Sequence, residues 1–536
     1  MKMNCRMNMW PALAILPCAG FSQEEKPLNI LCVVCEDISP YLGCYGDGVA
    51  ISPHIDNLAA EGVRFSNFYT TMGVSSPSRA ALITGMYPSA IGANQMRNQG
   101  NPRYLPEGIV PYEVIPPAGV KCYTEYLREA GYYCTNNMKT DYQFNAPLTA
   151  WDENGKDAHW KHGPKDKPFF AIFNFTTTHE SQVWSRADEP MTVEPQKVKV
   201  PPYFPDNEIV RNDIARMYSN IAVMDKQVQE MIDEVAEAGL LENTIVVFYS
   251  DNGGPLPRQK RSVYNSGLQV PLIIRYPGQQ GKGTVDSQMC SFVDIPATML
   301  SLAGIRPPVN MHGKAFAGKY EASQRQYIYG AKDRCDEQID KIGTVRDKKF
   351  QYIRNYMPEI SGYRDVAYRK SMPMMQNMLD LRDKGQLNET QMAWFKSPRP
   401  AEEFYDVEND PHNSHNLIDN PQYKTEIERL RQVYTQWIRD YNALWLLPEK
   451  EVMDLFMPDG QQRVAEKPVA VREGNKVRIF CATEGSSIAY QINGKGYNES
   501  HWFLYTKPIE LKKGDKIEAI ATRAGYKQSE KAVLVL

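Results

Sequence analysis

Residues 28–35 read Leu-Asn-Ile-Leu-Cys-Val-Val-Cys, a run that is apolar at nearly every position. Such a run predicts a strand covered on both faces, as in a parallel sheet flanked by helices. The same reasoning predicts three more strands, at 169–175, 244–249 and 271–275, and three helices, at 55–61, 122–130 and 212–238. This alternation predicts an α/β fold with a mixed, largely parallel sheet.

Two of the predicted strands end in pairs of oxygen-bearing side chains. Glu36-Asp37 follows the first strand, and Asp251-Asn252 follows the strand at 244–249. Functional groups of such sheets gather beyond the carboxyl ends of the strands, so these two pairs are expected to meet. Hard oxygen donors favour Ca²⁺ or Mg²⁺ and not zinc.

The stretch Val74 to Gly85 (Val-Ser-Ser-Pro-Ser-Arg-Ala-Ala-Leu-Ile-Thr-Gly) predicts a helix. Ser76 suits the N-cap, Pro77 the first helical position, and Gly85 the end. The free N–H groups at the start favour an anion, and Arg79 lies in the first turn. From these residues alone, an ordinary capped helix and a site that attacks an anionic ester are equally good interpretations.

The pattern Ser75-x-Pro77-Ser78-Arg79, with Leu82, Thr84 and Gly85, resembles the signature of the formylglycine-dependent sulfatases. The resemblance implies the alkaline-phosphatase-like fold. It also implies that Ser75 is oxidised to formylglycine by a radical-SAM maturating enzyme, as in the serine-type branch. Met86 departs from the arginine that commonly follows the family's Thr-Gly.

The resemblance further implies a calcium site, with Mg²⁺ as the alternative metal, formed by Glu36, Asp37, Ser75, Asp251 and Asn252. Glu36 stands where the family commonly has Asp. The catalytic residues implied are Ser75, Arg79, Lys139, His179 and Lys260. Arg79 is expected to hold the formylglycine and Lys260 the sulfate. Asp141 replaces the histidine of a Lys-x-His motif.

His179 follows the predicted strand at 169–175 and matches the family histidine that contacts sulfate and protonates the leaving oxygen. A usual histidine pKa suits acid catalysis near neutrality. Asp141 is predicted either to take the role of the motif histidine or to contact substrate, and a solvated pair with Lys139 is the alternative. Substrate binding is also predicted for loop residues, each of which could equally be a solvated side chain: Arg97, His312, Arg334 and Asp336. Arg258 and Arg261 are expected to be solvated or to contact a second acidic group.

The chain has 536 residues and a net charge of −3, so the composition indicates no general affinity for nucleic acid. Lys2 and Arg6 precede an apolar stretch at 9–19, which predicts a signal peptide at 1–22 and export to the periplasm or beyond; a buried N-terminal helix is the alternative. No later run is apolar enough to span a bilayer. Cys32 and Cys35 lie inside the first strand and are expected to be buried and free.

Three domains are predicted after the signal peptide. Residues 23–324 form the catalytic α/β domain, and 325–450 form a smaller subdomain with antiparallel strands and a long helix at 424–441. Residues 465–536 contain short strands and tight turns, including Asn493-Gly494, which predict a small β-sandwich. This last domain resembles the C-terminal appendage of chitobiases, which binds glycan or braces the enzyme.

The chain is therefore predicted to be a sulfatase acting on a sulfated carbohydrate such as a glycosaminoglycan. Its Ser-Asp-Asn-Gly-Gly-Pro-Leu-Pro stretch at 250–257 is most similar to the heparan N-sulfatase branch. A phosphodiesterase or phosphonate hydrolase of the same superfamily is one alternative. A glycan-binding protein without catalysis is the other.

Overall fold

The computed structural model describes residues 27–441 and 443–536, so the predicted signal peptide lies outside the described residues. A central sheet of eight strands organises the larger part of the molecule. Its strands, in chain order, are β1 (Asn29–Cys35), β2 (Val63–Tyr69), β3 (Tyr133–Asn137), β4 (Glu153–Asn154), β5 (Phe169–Phe175), β6 (Thr244–Ser250), β7 (Leu272–Arg275) and β8 (Thr284–Ser291).

The sheet is mixed and largely parallel, which confirms the predicted fold class. The strand order is β4-β3-β5-β1-β6-β7-β2-β8, and only β7 runs antiparallel to its neighbours. At the centre, Cys35 of β1 is paired with Phe175 of β5 and with Ser250 of β6. The carboxyl ends of these three strands therefore lie side by side.

Strand β1 is apolar throughout because both of its faces are covered. Ile30, Cys32 and Val34 belong to the core on one side of the sheet. Leu31, Val33 and Cys35 belong to the core on the other side. Cys32 and Cys35 are buried, free and on opposite faces, as predicted, because side chains alternate along a strand.

Helices cover both faces of the sheet. In the α/β part they are α1 (Pro53–Glu61), α2 (Ser75–Thr84), α3 (Pro88–Ile91), α4 (Tyr123–Glu129), α5 (Gln182–Ser185), α6 (Glu208–Glu237), α7 (Asn265–Leu268) and α8 (Asp294–Leu302). The predicted helices at 55–61, 122–130 and 212–238 are present with small shifts of their ends.

The start of α2 differs from the prediction. Val74 occupies the N-cap position, no side chain caps the helix, and Ser76 lies within the first turn. The first-turn N–H groups are therefore not taken up by a Ser76 cap. Gly85 ends the helix as expected, with a positive φ of 70° that glycine adopts without strain.

A second, antiparallel sheet follows, with strands β9 (Ile328–Lys332), β10 (Ile342–Arg346), β11 (Phe350–Asn355) and β12 (Glu402–Asp406). Five helices accompany it: α9 (Pro373–Asp383), α10 (Glu389–Met392), α11 (Lys424–Tyr441), α12 (Ala443–Leu446) and α13 (Glu449–Phe456). Apolar side chains of α11, including Leu430 and Trp437, join the main core.

The C-terminal region contains a sheet of three strands and a sheet of four, in agreement with the predicted β-sandwich. The strands are β13 (Val469–Glu473), β14 (Lys476–Phe480), β15 (Ser487–Ile492), β16 (Phe503–Leu504), β17 (Ile509–Glu510), β18 (Lys516–Thr522) and β19 (Ala532–Val535). Within the described parts of the chain, none of the helices has the length and apolar character needed to cross a membrane.

Candidate active site

The two oxygen-rich pairs predicted from the sequence meet at the carboxyl ends of β1 and β6. The backbone N–H of Asp37 lies 3.4 Å from Asp251 Oδ1. Asn252 Nδ2 donates a hydrogen bond of 2.8 Å to Asp37 Oδ1. Asp37 has a positive φ of 55°, a strained conformation for a residue with a side chain, and such strain concentrates at functional sites.

The N-terminus of α2 points Ser75 and Arg79 at the same place. Ser75 Oγ donates a hydrogen bond of 3.2 Å to Asn252 Oδ1. Arg79 Nε lies 2.9 Å from Asp251 Oδ2, and its Nη1 donates a 2.7 Å bond to Asn174 Oδ1. Burial opposes the charge of Arg79, but the carboxylates of Asp251, Glu36 and Asp141 together outweigh it and raise the arginine pKa. Arg79 is thus a fixed cation beside the Ser75 hydroxyl.

Two lysines complete the positive side of the site. Lys260 Nζ contacts Asp37 Oδ2 and lies 3.9 Å from Glu180 Oε1. Lys139 Nζ lies 2.7 Å from Glu36 Oε1 and 3.5 Å from Asp141 Oδ2. Burial raises the pKa of Glu36 to about 7, and Lys139 opposes that shift.

His179 lies just after β5, with Nε2 3.8 Å from Glu36 Oε2. The backbone N–H of Ser181 donates to His179 Nδ1 at 3.3 Å, which assigns the proton of the neutral ring to Nε2. Burial, and then the positive charge of Lys260, lower the histidine pKa to about 4. In the free protein His179 is therefore a neutral Nε2–H donor at pH 7, which differs from the near-neutral pKa expected from the sequence.

A second layer of the site was not predicted from the sequence. The Glu180 backbone N–H donates a 2.7 Å bond to Asp37 Oδ2, and the Glu180 carboxylate receives two bonds from Arg261, of 2.8 and 2.6 Å. Burial raises the Glu180 pKa, but the positive charges of Arg261 and Lys260 together outweigh it and lower that pKa to about 2. The sequence feature that could have pointed to Glu180 was its position directly after His179.

Arg258 and Arg261 are buried, which corrects the expectation that they are solvated. Arg261 is paired with Glu180 and lies 3.4 Å from Asp336, so its contact with acidic groups agrees with the second expectation. Both arginines adopt positive φ angles, of 62° and 65°. Sequence patterns do not reveal this loop geometry, which turns both side chains inward.

Three of the predicted substrate-binding residues lie near the site. Asp141 is close to Lys139, as described above, and its side chain is 42% exposed. Arg97 Nε lies 3.0 Å from Asp336 Oδ1, and its guanidinium stacks over the Tyr368 ring at 5.2 Å. The ring centroid of Tyr368 is 6.4 Å from that of His179, so Arg97 and Asp336 reach the rim of the site.

The structure places the other two elsewhere. His312 donates its backbone N–H to the carbonyl of Gly85, at the opposite end of α2 from Ser75, and ten helical residues span about 15 Å. Arg334 is fully buried, with its Nε 2.6 Å from Glu449 Oε2 and its Nη1 bonded to the carbonyls of Met96 and Asp336. Both residues therefore bond to other parts of the protein, and neither is a free residue of an open loop.

The donor set at the strand ends fits a hard divalent cation. Among the described residues no three His, Cys, Asp or Glu side chains are already arranged as metal ligands, and Lys260 Nζ occupies Asp37 Oδ2. The carboxylates of Glu36, Asp37 and Asp251 are nevertheless buried together, and Asn252 adds an amide oxygen that faces Ser75. An all-oxygen set suits Ca²⁺ or Mg²⁺.

A mixed sheet with a hydroxyl at a helix N-terminus, buried carboxylates and convergent cations is an arrangement that suits a hydrolase of anionic esters. Residues 28–305 match the Sulfatase family, and residues 258–393 match the family described as N-sulphoglucosamine sulphohydrolase, C-terminal. The chain belongs to the sulfatase family. It is a sulfuric ester hydrolase.

Curated relatives match over most of their length. An ulvan-active sulfatase of Formosa agariphila is 43% identical over 544 residues, covering 94% of this chain and 91% of the relative. The N-sulphoglucosamine sulphohydrolase of Homo sapiens is 24% identical, covering 80% of this chain and 94% of the relative. These relatives support the predicted family and its N-sulfatase-like branch.

Solved structures share the fold at low sequence identity. A protein determined in complex with its substrate D-glucosamine-2-N,6-O-disulfate aligns with a TM-score of 0.55 and 16% identity, covering 78% of this chain and 98% of that one. The phosphonate monoester hydrolase of Agrobacterium radiobacter aligns with a TM-score of 0.55 and 15% identity, covering 77% and 96%. These likenesses concern the fold alone.

Proposed function

We propose that this chain is an exported, calcium-dependent sulfatase that removes sulfate from an acidic carbohydrate, using a formylglycine derived from Ser75. The observation that carries the proposal is the contact of Ser75 Oγ with Asn252, beside Asp37 and the Arg79–Asp251 pair. The ulvan-active relative supports a sulfated polysaccharide as the substrate class, and the human relative supports a sulfated glucosamine.

The residues around Ser75 supply complementary charges to a sulfate ester. Lys260 contacts Asp37, Lys139 lies 2.7 Å from Glu36, and Arg79 is paired with Asp251. Fixed cations of this kind stabilise negative charge that develops in the transition state, because they need no reorganisation. His179 presents its Nε2–H at the mouth of the site, where it assists departure of the sugar oxygen.

The remaining chemistry would come from two groups that this chain would carry, a formylglycine and a calcium ion. A hydrated formylglycine offers one hydroxyl for attack on sulfur and a second for expulsion of sulfate, whereas an unmodified serine is a weak nucleophile. Glu36, Asp37, Asp251 and Asn252 would hold Ca²⁺, which neutralises sulfate charge. A radical-SAM maturating enzyme acting on Ser75 and export through the segment at 1–22 belong to the same proposal.

The proposal is tested by expressing the protein with a serine-type maturating enzyme and analysing the peptide that contains residue 75 by mass spectrometry. The expected result is the loss of two hydrogens at Ser75. Sulfate release is then measured by ion chromatography on ulvan oligosaccharides, on defined O- and N-sulfated glucosamine fragments, and on matched phosphate esters. Matured protein that releases phosphate but no sulfate would refute the assignment.

A further inference from the structure

A cavity of about 130 Å³ lies between the loop that carries Lys260 and the antiparallel sheet of the second part of the chain. Tyr264, Ile342 and Trp394 form parts of its wall. Its lining contains a single carboxylate, that of Glu403. The basic side chains in the same lining are Arg258, Lys260, Arg261, Lys332, Arg369 and Arg399.

Four of these cations are neutralised within the protein. Lys260 and Arg261 pair with Asp37 and Glu180 of the active site. Lys332 and Arg399 share the carboxylate of Asp340. The hydrogen bonds accepted by Glu403 come from neutral groups, namely Tyr264, Tyr405 and Asn355. The remaining cations, Arg258 and Arg369, are thus left without a carboxylate partner.

Arg369 is the residue of this lining that most strongly indicates an anion-binding site. It is only 5% exposed, and its guanidinium carbon lies 5.2 Å from the Trp394 ring and 5.9 Å from the Tyr363 ring. In the part of the chain that the structure describes, its side chain makes no ion pair and no hydrogen bond, and its buried Nε is unsatisfied. Burial and the nearby Arg261 lower its pKa to about 10. An uncompensated buried cation is destabilising unless an anion joins it.

Arg258 presents a second guanidinium to the cavity. Its carbon lies between the rings of Tyr203 and Tyr264, at 4.4 and 4.2 Å. Its two terminal nitrogens donate to the carbonyls of His412 and Asn413, at 3.0 and 2.6 Å. These bonds fix the orientation of the group, and among the described residues no carboxylate lies within ion-pair distance of it.

We propose that this cavity is an oxyanion-binding site in which Arg369 and Arg258 hold a carboxylate or sulfate group. A planar guanidinium matches the two oxygens of such a group, and stacking on aromatic rings keeps it rigid. The cavity borders the active site, since Lys260 lines both and the N–H of Arg261 donates to the Gly73 carbonyl, two residues before Ser75.

Two sources can supply this oxyanion. One is a second acidic group on the glycan being hydrolysed, in which case the inference rests on the proposed function and makes the cavity a determinant of polyanionic substrates. The other is free inorganic sulfate. The experiment therefore has one arm for each source.

The first arm titrates the purified, calcium-loaded protein with inorganic sulfate in a calorimeter. Arg369→Met is compared with a matched control, Arg382→Met, which removes another arginine that lies over the Tyr363 ring. Arg382 is partly exposed and paired with Asp383. Arg369→Met is expected to lose one binding event or to weaken it by about tenfold or more, equivalent to at least 1.4 kcal/mol. Arg382→Met is expected to bind as the parent does.

The second arm measures KM and kcat. For a sulfated oligosaccharide that also carries a uronate or second sulfate, Arg369→Met and Arg258→Met are expected to raise KM about tenfold or more while kcat changes little. For a small monosulfated aryl ester, both constants are expected to stay unchanged. In chloride buffer, Arg369→Met is expected to melt at a temperature at least as high as that of the parent, because the unpaired buried cation has been removed. That result excludes misfolding of the variant.

The outcomes separate the two proposals. Loss of sulfate binding without a change in KM supports the free-ion source, and a selective rise in KM supports the glycan source. Parent-like behaviour of Arg369→Met in both arms overturns the oxyanion site even if the enzyme releases sulfate. Arg369-dependent sulfate binding in a protein that hydrolyses no sulfate ester leaves the site standing and refutes the proposed function.

Discussion

Ser75 Oγ donates a 3.2 Å hydrogen bond to Asn252 Oδ1, across 177 positions of the chain. The bond joins the first residue of α2 to the loop that follows β6. Asn252 in turn donates to Asp37, which follows β1. Three separate segments thus meet at one hydroxyl, and each of them holds a group that the proposed chemistry uses.

Replacing Ser75 with Ala is expected to abolish sulfate release, because no hydroxyl remains to be oxidised or to attack sulfur. Ser76→Ala is the matched control, since Ser76 lies in the same turn and caps nothing. It is expected to keep activity within about threefold, or about 0.7 kcal/mol. Initial rates of sulfate release measure both variants. Near-parent turnover in Ser75→Ala would contradict the role of this residue.

Removal of divalent metal is expected to abolish activity and to lower the melting temperature, because a ligand that binds only the folded state stabilises it. Ca²⁺ is expected to restore both, while Zn²⁺ restores neither, since the donors are oxygens. Asp37→Asn is the companion variant, in which the calcium-dependent thermal shift should be absent. A shift of equal size in Asp37→Asn would show that the metal binds elsewhere.

Asp213 gives the molecule a specific pH dependence of stability. Its buried carboxyl on α6 accepts a 2.7 Å bond from the Met374 N–H, and burial raises its pKa to about 7. The unfolded value is about 4, so the folded state holds the proton between those two values. The stabilising contribution of this group is complete below about pH 4 and is lost as the pH rises through 7.

Asp213→Asn keeps an acceptor for Met374 but cannot ionise. Relative to this variant, the parent is expected to lose about 2–3 kcal/mol of stability between pH 5 and pH 8. Asp233→Asn, an exposed change on the same helix, is expected to follow the parent at both values. Thermal denaturation at the two pH values measures the difference, and parallel curves for Asp213→Asn and the parent would refute the raised pKa.

A buried cluster of polar and charged side chains connects the C-terminal β-sandwich to the α/β part. His501 Nε2 lies 2.8 Å from Asp152 Oδ1, and Arg128 Nη2 contacts both Asp152 and the Trp502 carbonyl, at 2.9 and 2.7 Å. His501→Ala is expected to lower stability by about 1–3 kcal/mol, because buried Asp152 loses a partner.

Ser500→Ala is the control for this cluster, since Ser500 bonds only to Asn498 nearby among the described contacts. Melting curves and limited proteolysis of the C-terminal region measure the effect of each change. Equal melting temperatures for His501→Ala and the parent would contradict a bracing role for this contact.

Local sequence patterns were sufficient to predict the main strands, the main helices and the paired side chains at the strand ends. The apolar run at 28–35 required a strand with two covered faces, and Glu36-Asp37 and Asp251-Asn252 followed two such strands. Because parallel strands in one sheet end at a common edge, their meeting could be predicted without coordinates. The signature at 75–85 indicated the family, and it made Ser75 the candidate nucleophile.

The tertiary structure alone decided the surroundings of these groups. Positive φ angles turned Arg258 and Arg261 into the protein. Glu180 and Arg334 found their ion-pair partners in segments distant along the chain. Burial beside Lys260 set the pKa of His179. Periodicity and strand ends are local features, so the sequence by itself determined the main strands and the candidate reacting groups. Burial and electrostatic pairing depend on residues far apart in the chain, so only the tertiary structure decided the charges and neighbours of those groups.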